Sequence, residues 1–264
     1  MTTPPPPMSS SSSSLLSYTP ISSIESLIKS ARSSYNTQFT HPYNFRIKQL
    51  IGLERLITEN YTALANAVKA DFTQGDIYIE AFELEGILSR VQYAKSNLKL
   101  WMKLQSKPTP FPVNLNIPVH TTLSPNPRGV VLIITPWNMP ITMTLSPLLE
   151  ALAAGNVCIL KMSEKSVHVT QLLTELLGSG RYVDERVVHV VNGGAEVATE
   201  LLKYRFDAIS YTGGTYVGRI VNMAAAKHIT PTLLELGGEE SSICYETCTY
   251  CIGGYAYCLG EDIG

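Results

Sequence analysis

An α/β fold is predicted, a parallel sheet with helices on both faces, and three features of the sequence lead to it. From residue 130 onward, short runs of β-branched and aliphatic residues alternate with helix-length stretches. Those runs are apolar throughout, as strands covered on both faces must be, and do not alternate like half-exposed ones. Finally, 264 residues of which 45% are apolar suffice for a sizeable core.

Taken in order, residues 1–20 are dominated by proline and serine and are expected to form a disordered tail. The start of the chain has neither a basic n-region nor an apolar h-region, so a secretory signal is not expected there. From residue 21 the pattern is helical. Ile47, Leu50, Ile51, Leu53, Leu56, Ile57, Tyr61, Leu64 and Val68 recur at steps of three and four, one stripe on an amphipathic helix. Ile87, Val91, Ala94, Leu98 and Trp101 make a second stripe, and core packing explains both. Six prolines between residues 107 and 127 mark an irregular or edge-strand arm, because proline cannot donate to a sheet ladder.

Beyond that arm, strands are expected at 130–134, 157–160, 187–191, 208–211 and 232–236. Helices are expected at 141–154, 167–177, 195–204 and 217–227. A sheet of this kind binds ligands at the carboxyl ends of its strands. After Ser242 the periodicity lapses into a stretch rich in Cys, Tyr and Gly that matches neither a strand nor a helix template.

Composition excludes several functions. A formal charge of -2 offers no basic footprint for a nucleic-acid backbone or an anionic membrane surface. No run reaches the roughly 18 apolar residues of a membrane span. The five cysteines are odd in number and four lie at or beyond residue 244, which is not a spread disulfide scaffold, so a reducing, cytoplasmic location is expected.

Four segments could carry chemistry, all at predicted strand ends. Tyr211-Thr212-Gly213-Gly214-Thr215-Tyr216-Val217-Gly218-Arg219 lies between a strand and a helix, where free amides and the helix dipole favour a phosphate. It could equally be a tight turn that needs glycine. Neither G-x-G-x-x-G nor a P-loop occurs in the chain. In Thr135-Pro136-Trp137-Asn138-Met139-Pro140, two prolines stiffen the backbone around Asn138, whose amide is a suitable oxyanion donor or else a turn residue. Lys161-Met162-Ser163-Glu164 places a cation and a carboxylate at the same edge, suited to ribose hydroxyls or simply a solvated loop. Glu235-Leu236-Gly237-Gly238 ends the last strand with an acid that could project into a cleft as a general base, or be structural.

Together these segments, with Gly155-Asn156 and the run from Val191-Asn192-Gly193-Gly194 to Lys227-His228-Ile229-Thr230-Pro231, resemble the aldehyde dehydrogenase family. The similarity is to its class 3 and fatty-aldehyde branch and covers residues 21–243. It implies a Rossmann-like sheet carrying NAD, with NADP possible, in a domain spanning 21–243, followed by a divergent tail at 244–264. It further implies that Asn138 donates to a thiohemiacetal oxyanion and that Glu235 is the general base. Lys161 and Glu164 would hold the adenosine ribose; Gly213, Gly214, Thr215, Tyr216, Val217 and Gly218 would form the turn under the pyrophosphate; Trp137 and Leu236 would line the cofactor. The implied substrate is a small aldehyde, oxidised to a carboxylic acid, and the chain would act as a homo- or hetero-oligomer.

Three positions depart from the family. Gly214 stands where a capping Ser or Asn is usual, Glu239 replaces a lysine, and Met162 replaces a proline. The family's nucleophile is a cysteine well beyond the glutamate, followed by a second α/β domain. Cys258 lies 23 positions after Glu235 and lacks the Gly-Gln-x-Cys setting. Little or no dehydrogenase activity is therefore expected of this sequence alone, and a non-catalytic nucleotide-binding or subunit-interaction module is the alternative. Cys244, Cys248 and Cys251 are spaced like the cluster motif of radical S-adenosylmethionine enzymes, but only 13 residues follow, too few for that family's barrel. A four-thiolate zinc site that includes Cys258 is the alternative for these cysteines, and no metal is assigned. A short-chain dehydrogenase is disfavoured because Tyr-x-x-x-Lys does not occur.

Overall fold

A computed structural model describes residues 16–109 and 120–237. A helical layer comes first: α1 (Ile21–Asn36), α2 (Tyr43–Glu59), α3 (Tyr61–Asp71), the single turn α4 (Asp76–Tyr78), a π-helical turn (Ile79–Glu85) and α5 (Gly86–Trp101). Strands β1 (Gln105–Lys107) and β2 (Thr121–Leu123) then pair antiparallel as an exposed ribbon at the ends of the proline-rich arm. The remainder is strictly alternating: β3 (Val130–Ile134), α6 (Pro140–Ala153), β4 (Val157–Lys161), α7 (Val167–Gly178), β5 (Val188–Val190), α8 (Ala195–Leu201), β6 (Ala208–Gly213), α9 (Thr215–Ala226) and β7 (Thr232–Leu236).

The five later strands form one parallel sheet in the order β5-β4-β3-β6-β7. Central β3 and β4 are buried at every position, which is why β3 is an unbroken aliphatic run and β4 is apolar up to Lys161 at its end. Strand β7 lies at the edge and is mostly exposed. The chain steps outward from β3 through β4 to β5, then returns across to β6 and β7. The connections leaving β3 and β6 therefore diverge, opening a crevice between the carboxyl ends of these two neighbours.

The opposite edge is pinned. Asn156 accepts from the amides of Arg128 and Gly129 at 2.8 and 3.0 Å and donates to the Ala151 carbonyl at 3.1 Å, tying the end of α6 to the start of β3. Gly155 leaves α6 at φ +85°, a left-handed turn that a side chain would strain.

Two local expectations differ from what is observed. The stripe from Ile47 to Val68 is shared by two helices, because α2 ends at Glu59 and α3 begins at Tyr61. At the break, Asn60 has φ -120° and ψ 19°, and its side-chain amide donates to the Leu56 carbonyl and the Tyr182 hydroxyl at 2.8 and 2.9 Å. Apolar spacing continued across the break because both helices cover the same core. Within the stretch expected to be tail, residues 16–20 are held down: Leu16 is buried, and the Thr19 amide donates to the Asn192 carbonyl at 2.8 Å. The 244–264 segment, with four of the cysteines, lies outside the described residues.

Candidate active site

Register places the sequence-predicted groups on one edge. Across the sheet, Lys161 pairs with Ile134, Ile134 with Tyr211 and Tyr211 with Leu234, so the chain leaves β4, β3, β6 and β7 at nearly the same level. Asn138, Glu164, Gly214 and Glu235 follow within a few residues. Thr212 pairs with Glu235 and Gly213 with Leu236, one and two steps beyond that row.

The turn after β6 is built for close approach. Gly213 has φ +157°, and a Cβ there would lie 2.5 Å from the Tyr211 hydroxyl oxygen. That hydroxyl donates to the Gly214 carbonyl at 3.1 Å and fixes the turn. Gly218, inside α9, would place a Cβ 2.6 Å from a Leu236 methyl, so the absence of a side chain lets α9 lie against β7. Gly214, by contrast, has open space around it and φ -69°, an ordinary conformation. Thr215, Tyr216 and Val217 are exposed on the first turn of α9.

How the helices start separates α9 from the rest. The first amides of α6, those of Ile141 and Thr142, donate to Glu83 Oε2 at 3.1 and 2.8 Å. Those of α7, His168 and Val169, donate to the two carboxylate oxygens of Asp71, each at 2.9 Å. Ahead of α8, the Gly194 amide donates to Glu196 at 3.1 Å. Helix α9 has no side-chain cap and no acid in its first turn. Among the described residues it is therefore the one helix following a sheet strand whose positive end is unclaimed by a carboxylate.

On β4, two strands away from β6, the Lys161 ammonium is buried and donates to Glu164 Oε2 at 2.9 Å. Burial would raise the Glu164 carboxyl, but its own backbone amide and the Lys161 cation outweigh that and hold it below the usual carboxylate range. Trp137 projects outward, braced by Phe72 with ring centroids 5.8 Å apart and by the Lys165 ammonium 5.9 Å from its ring. Asn138 is exposed, and its side chain makes no hydrogen bond among the described residues, leaving both amide protons available. Glu235 is likewise exposed at the end of β7.

Cys158 is the one cysteine among the described residues and is the second residue of β4. Full burial pushes its thiol far above the ordinary range, so it cannot supply a thiolate.

Sequence reasoning missed Glu83 and Asp71, whose partners lie 58 to 98 residues away. One signal was present for Glu83: it falls between Ile79 and Ile87 at four-residue steps, an acid in a stripe otherwise destined for the core.

Residues 14–250 match the family described as "Aldehyde dehydrogenase family". The chain is 39% identical over 225 residues to "Aldehyde dehydrogenase family 3 member A2" of Pongo abelii, covering 84% of this chain and 44% of that protein. It is 40% identical over 226 residues to "Aldehyde dehydrogenase, dimeric NADP-preferring" of Rattus norvegicus, covering 85% and 48%. Among solved structures, a substrate-bound Staphylococcus aureus AldH superposes with a TM-score of 0.77 at 32% identity, over 81% of this chain and 46% of that one. A Mycobacterium tuberculosis aldehyde dehydrogenase complexed with NAD+ shares the fold with a TM-score of 0.74 at 22% identity, over 84% and 45%. The chain spans about half the length of the curated relatives it matches.

Proposed function

The chain belongs to the aldehyde dehydrogenase family, and from that premise we propose that it binds a nicotinamide dinucleotide at this sheet edge and contributes an amide and a carboxylate to the oxidation of an aldehyde to a carboxylic acid. The observation that carries the reading is the unclaimed N-terminus of α9, set beside two glycines that keep side chains away. A pyrophosphate would take the place that carboxylates hold on α6 and α7. The fit is one of chemistry as well as space: exposed amides for phosphate, the Lys161–Glu164 pair for ribose hydroxyls, and Trp137 and Leu236 for the flat apolar parts.

When bound, the nicotinamide would accept a hydride from the substrate carbon. This chain's own groups would do the rest: the Asn138 amide would donate to the oxyanion as it forms, and Glu235 would take a proton, from a thiol or from the hydrolytic water. The step also needs a thiolate, which Cys158 cannot be. The described residues are thus read as a cofactor-binding half-site that does not complete the reaction by itself.

The preferred cofactor in this reading is NAD, because an anionic Glu164 accepts from a 2′-hydroxyl and repels a 2′-phosphate. Titration calorimetry on the 264-residue chain is the test. Binding of NAD more tightly than NADP, weakened by Glu164→Gln, is expected; no binding by a chain that melts cooperatively would end the reading.

A second reading, cofactor binding as a subunit-interaction module, is favoured by an outward apolar stripe of Tyr216, Ile220 and Met223 on α9, with Leu233 on the neighbouring β7. Oligomerisation with itself or a longer relative, in the cytoplasm, belongs to that reading. Turnover of an aromatic or medium-chain aldehyde by the chain alone, abolished by Cys258→Ala, would refute it.

A further inference from the structure

Since the Asn138 amide is held by no side-chain partner among the described residues, its position depends on the backbone that carries it. That backbone runs directly into α6, whose start is poorly provided for locally. Met139 at the cap has no polar side chain, and Pro140 has no N–H to offer. The amides of Ile141 and Thr142 are left as buried donors in search of an acceptor.

Glu83 supplies it, with Oε2 accepting from Ile141 at 3.1 Å and Thr142 at 2.8 Å. The Thr142 hydroxyl returns a hydrogen bond to the Phe82 carbonyl at 2.6 Å and lies 3.2 Å from the Glu83 carbonyl. The first turn of α6 is thus joined by four contacts to the seven-residue π-helical turn Ile79–Glu85, a rare geometry that concentrates at functional positions. The Glu83 side chain is fully buried, and its Oε1 has no hydrogen-bond partner among the described residues. Such a group is costly to keep, and among the described residues the hydrogen bonds its side chain makes all go to this turn of α6.

We propose that Glu83 is a positioning residue: as a hydrogen-bond acceptor from the π-helical turn, it clasps the start of α6 and so fixes the Asn138 amide at the mouth of the sheet. Its catalytic consequence rests on the reading of Asn138 as oxyanion donor, whereas the clasp itself can be measured without it.

The test uses the whole 264-residue chain with Trp101→Phe, which leaves Trp137, the neighbour of Asn138, as the single indole. In Glu83→Ala, amide exchange at Ile141 and Thr142 should accelerate at least tenfold, and Trp137 should lose anisotropy and become easier to quench. Exchange in β3 and β4 should stay unchanged, which separates local release from general destabilisation. Glu83→Gln keeps the carbonyl acceptor and should restore both signals. A folded Glu83→Ala chain with wild-type exchange and anisotropy, or failure of the Gln variant to restore them, overturns the proposal. If Glu83→Ala does not fold, the unmodified chain decides. Slower exchange at Ile141 and Thr142 than at the open first turn of α9 supports the clasp, and equally fast exchange refutes it. Asn138→Ala leaves these signals in place, so loss of the oxyanion reading and loss of the clasp give different results.

Discussion

The first turns of α6 and α7 and the first turn of α9 face the same edge of one sheet yet solve the same problem differently. Each helix begins with amides that have no partner inside the helix. On α6 and α7 the partners are buried acids, Glu83 and Asp71, delivered from the N-terminal helical layer. On α9 there is no acid, and the cap is a glycine with empty space beside it. In the proposed reading, the third position, open at the topological switch point, is the one that would receive an anion from outside. The acids thus close two helix starts and leave the α9 start open for the proposed site.

Removing an acid should have the largest effect. Asp71→Ala strands two amides at the start of α7, and with buried donors costing about 1–3 kcal/mol each, stability should fall by about 3 kcal/mol in urea unfolding. A loss under about 0.5 kcal/mol would mean that water replaces the carboxylate.

Next comes a pH effect that belongs to α6 and has no counterpart at α9. Burial pushes the Glu83 carboxyl up from 4.5 to about 7, against the opposing pull of its hydrogen bonds from Thr142 and Ile141. Between those two values the folded chain holds more protons than the unfolded one, so Glu83's contribution is fully present below pH 4.5 and is lost as pH rises through 7. The loss should approach about 3 kcal/mol at one pKa unit per 1.4 kcal/mol. His41 and His189, lowered by burial, act in the opposite direction over the same range, so the measurement is the difference from Glu83→Gln. Parallel stability curves for the two chains from pH 5 to 8 would contradict it.

The comparison can also be inverted. Gly214→Asp would give α9 the acid its neighbours already have, in a conformation and space that accept a side chain. It should weaken NAD binding at least tenfold, about 1.4 kcal/mol, while leaving the unliganded chain as stable as before or slightly more so. Undiminished binding would move the phosphate site elsewhere. The smallest change is Gly214→Ser, which should add only a few tenths of a kcal/mol through capping and leave NAD binding within about twofold, by calorimetry.

Much of this was legible in the sequence because it is local. The limits of strands β3, β4 and β7 fall within a residue of those expected. Asn138, Lys161, Glu164, Gly213 and Glu235 could be placed on a common edge because parallel strands present their carboxyl ends together. Helix α9 begins at Thr215 instead of 217, two residues early, because Gly214 can end the strand turn without a capping side chain. Harder to read was the break at Asn60, since apolar periodicity reports which face is buried and is indifferent to a kink that keeps that face inward.

By itself, then, the sequence determined the alternation of strand and helix, the parallel sheet and the identity of the polar residues at its rim, because each follows from spacing along a few neighbouring residues. Only the tertiary structure decided which helix start is closed and which is open. Glu83 and Asp71 reach their amides across 58 to 98 residues of chain, and no local pattern encodes a hydrogen bond that exists only once the helical layer has packed against the sheet.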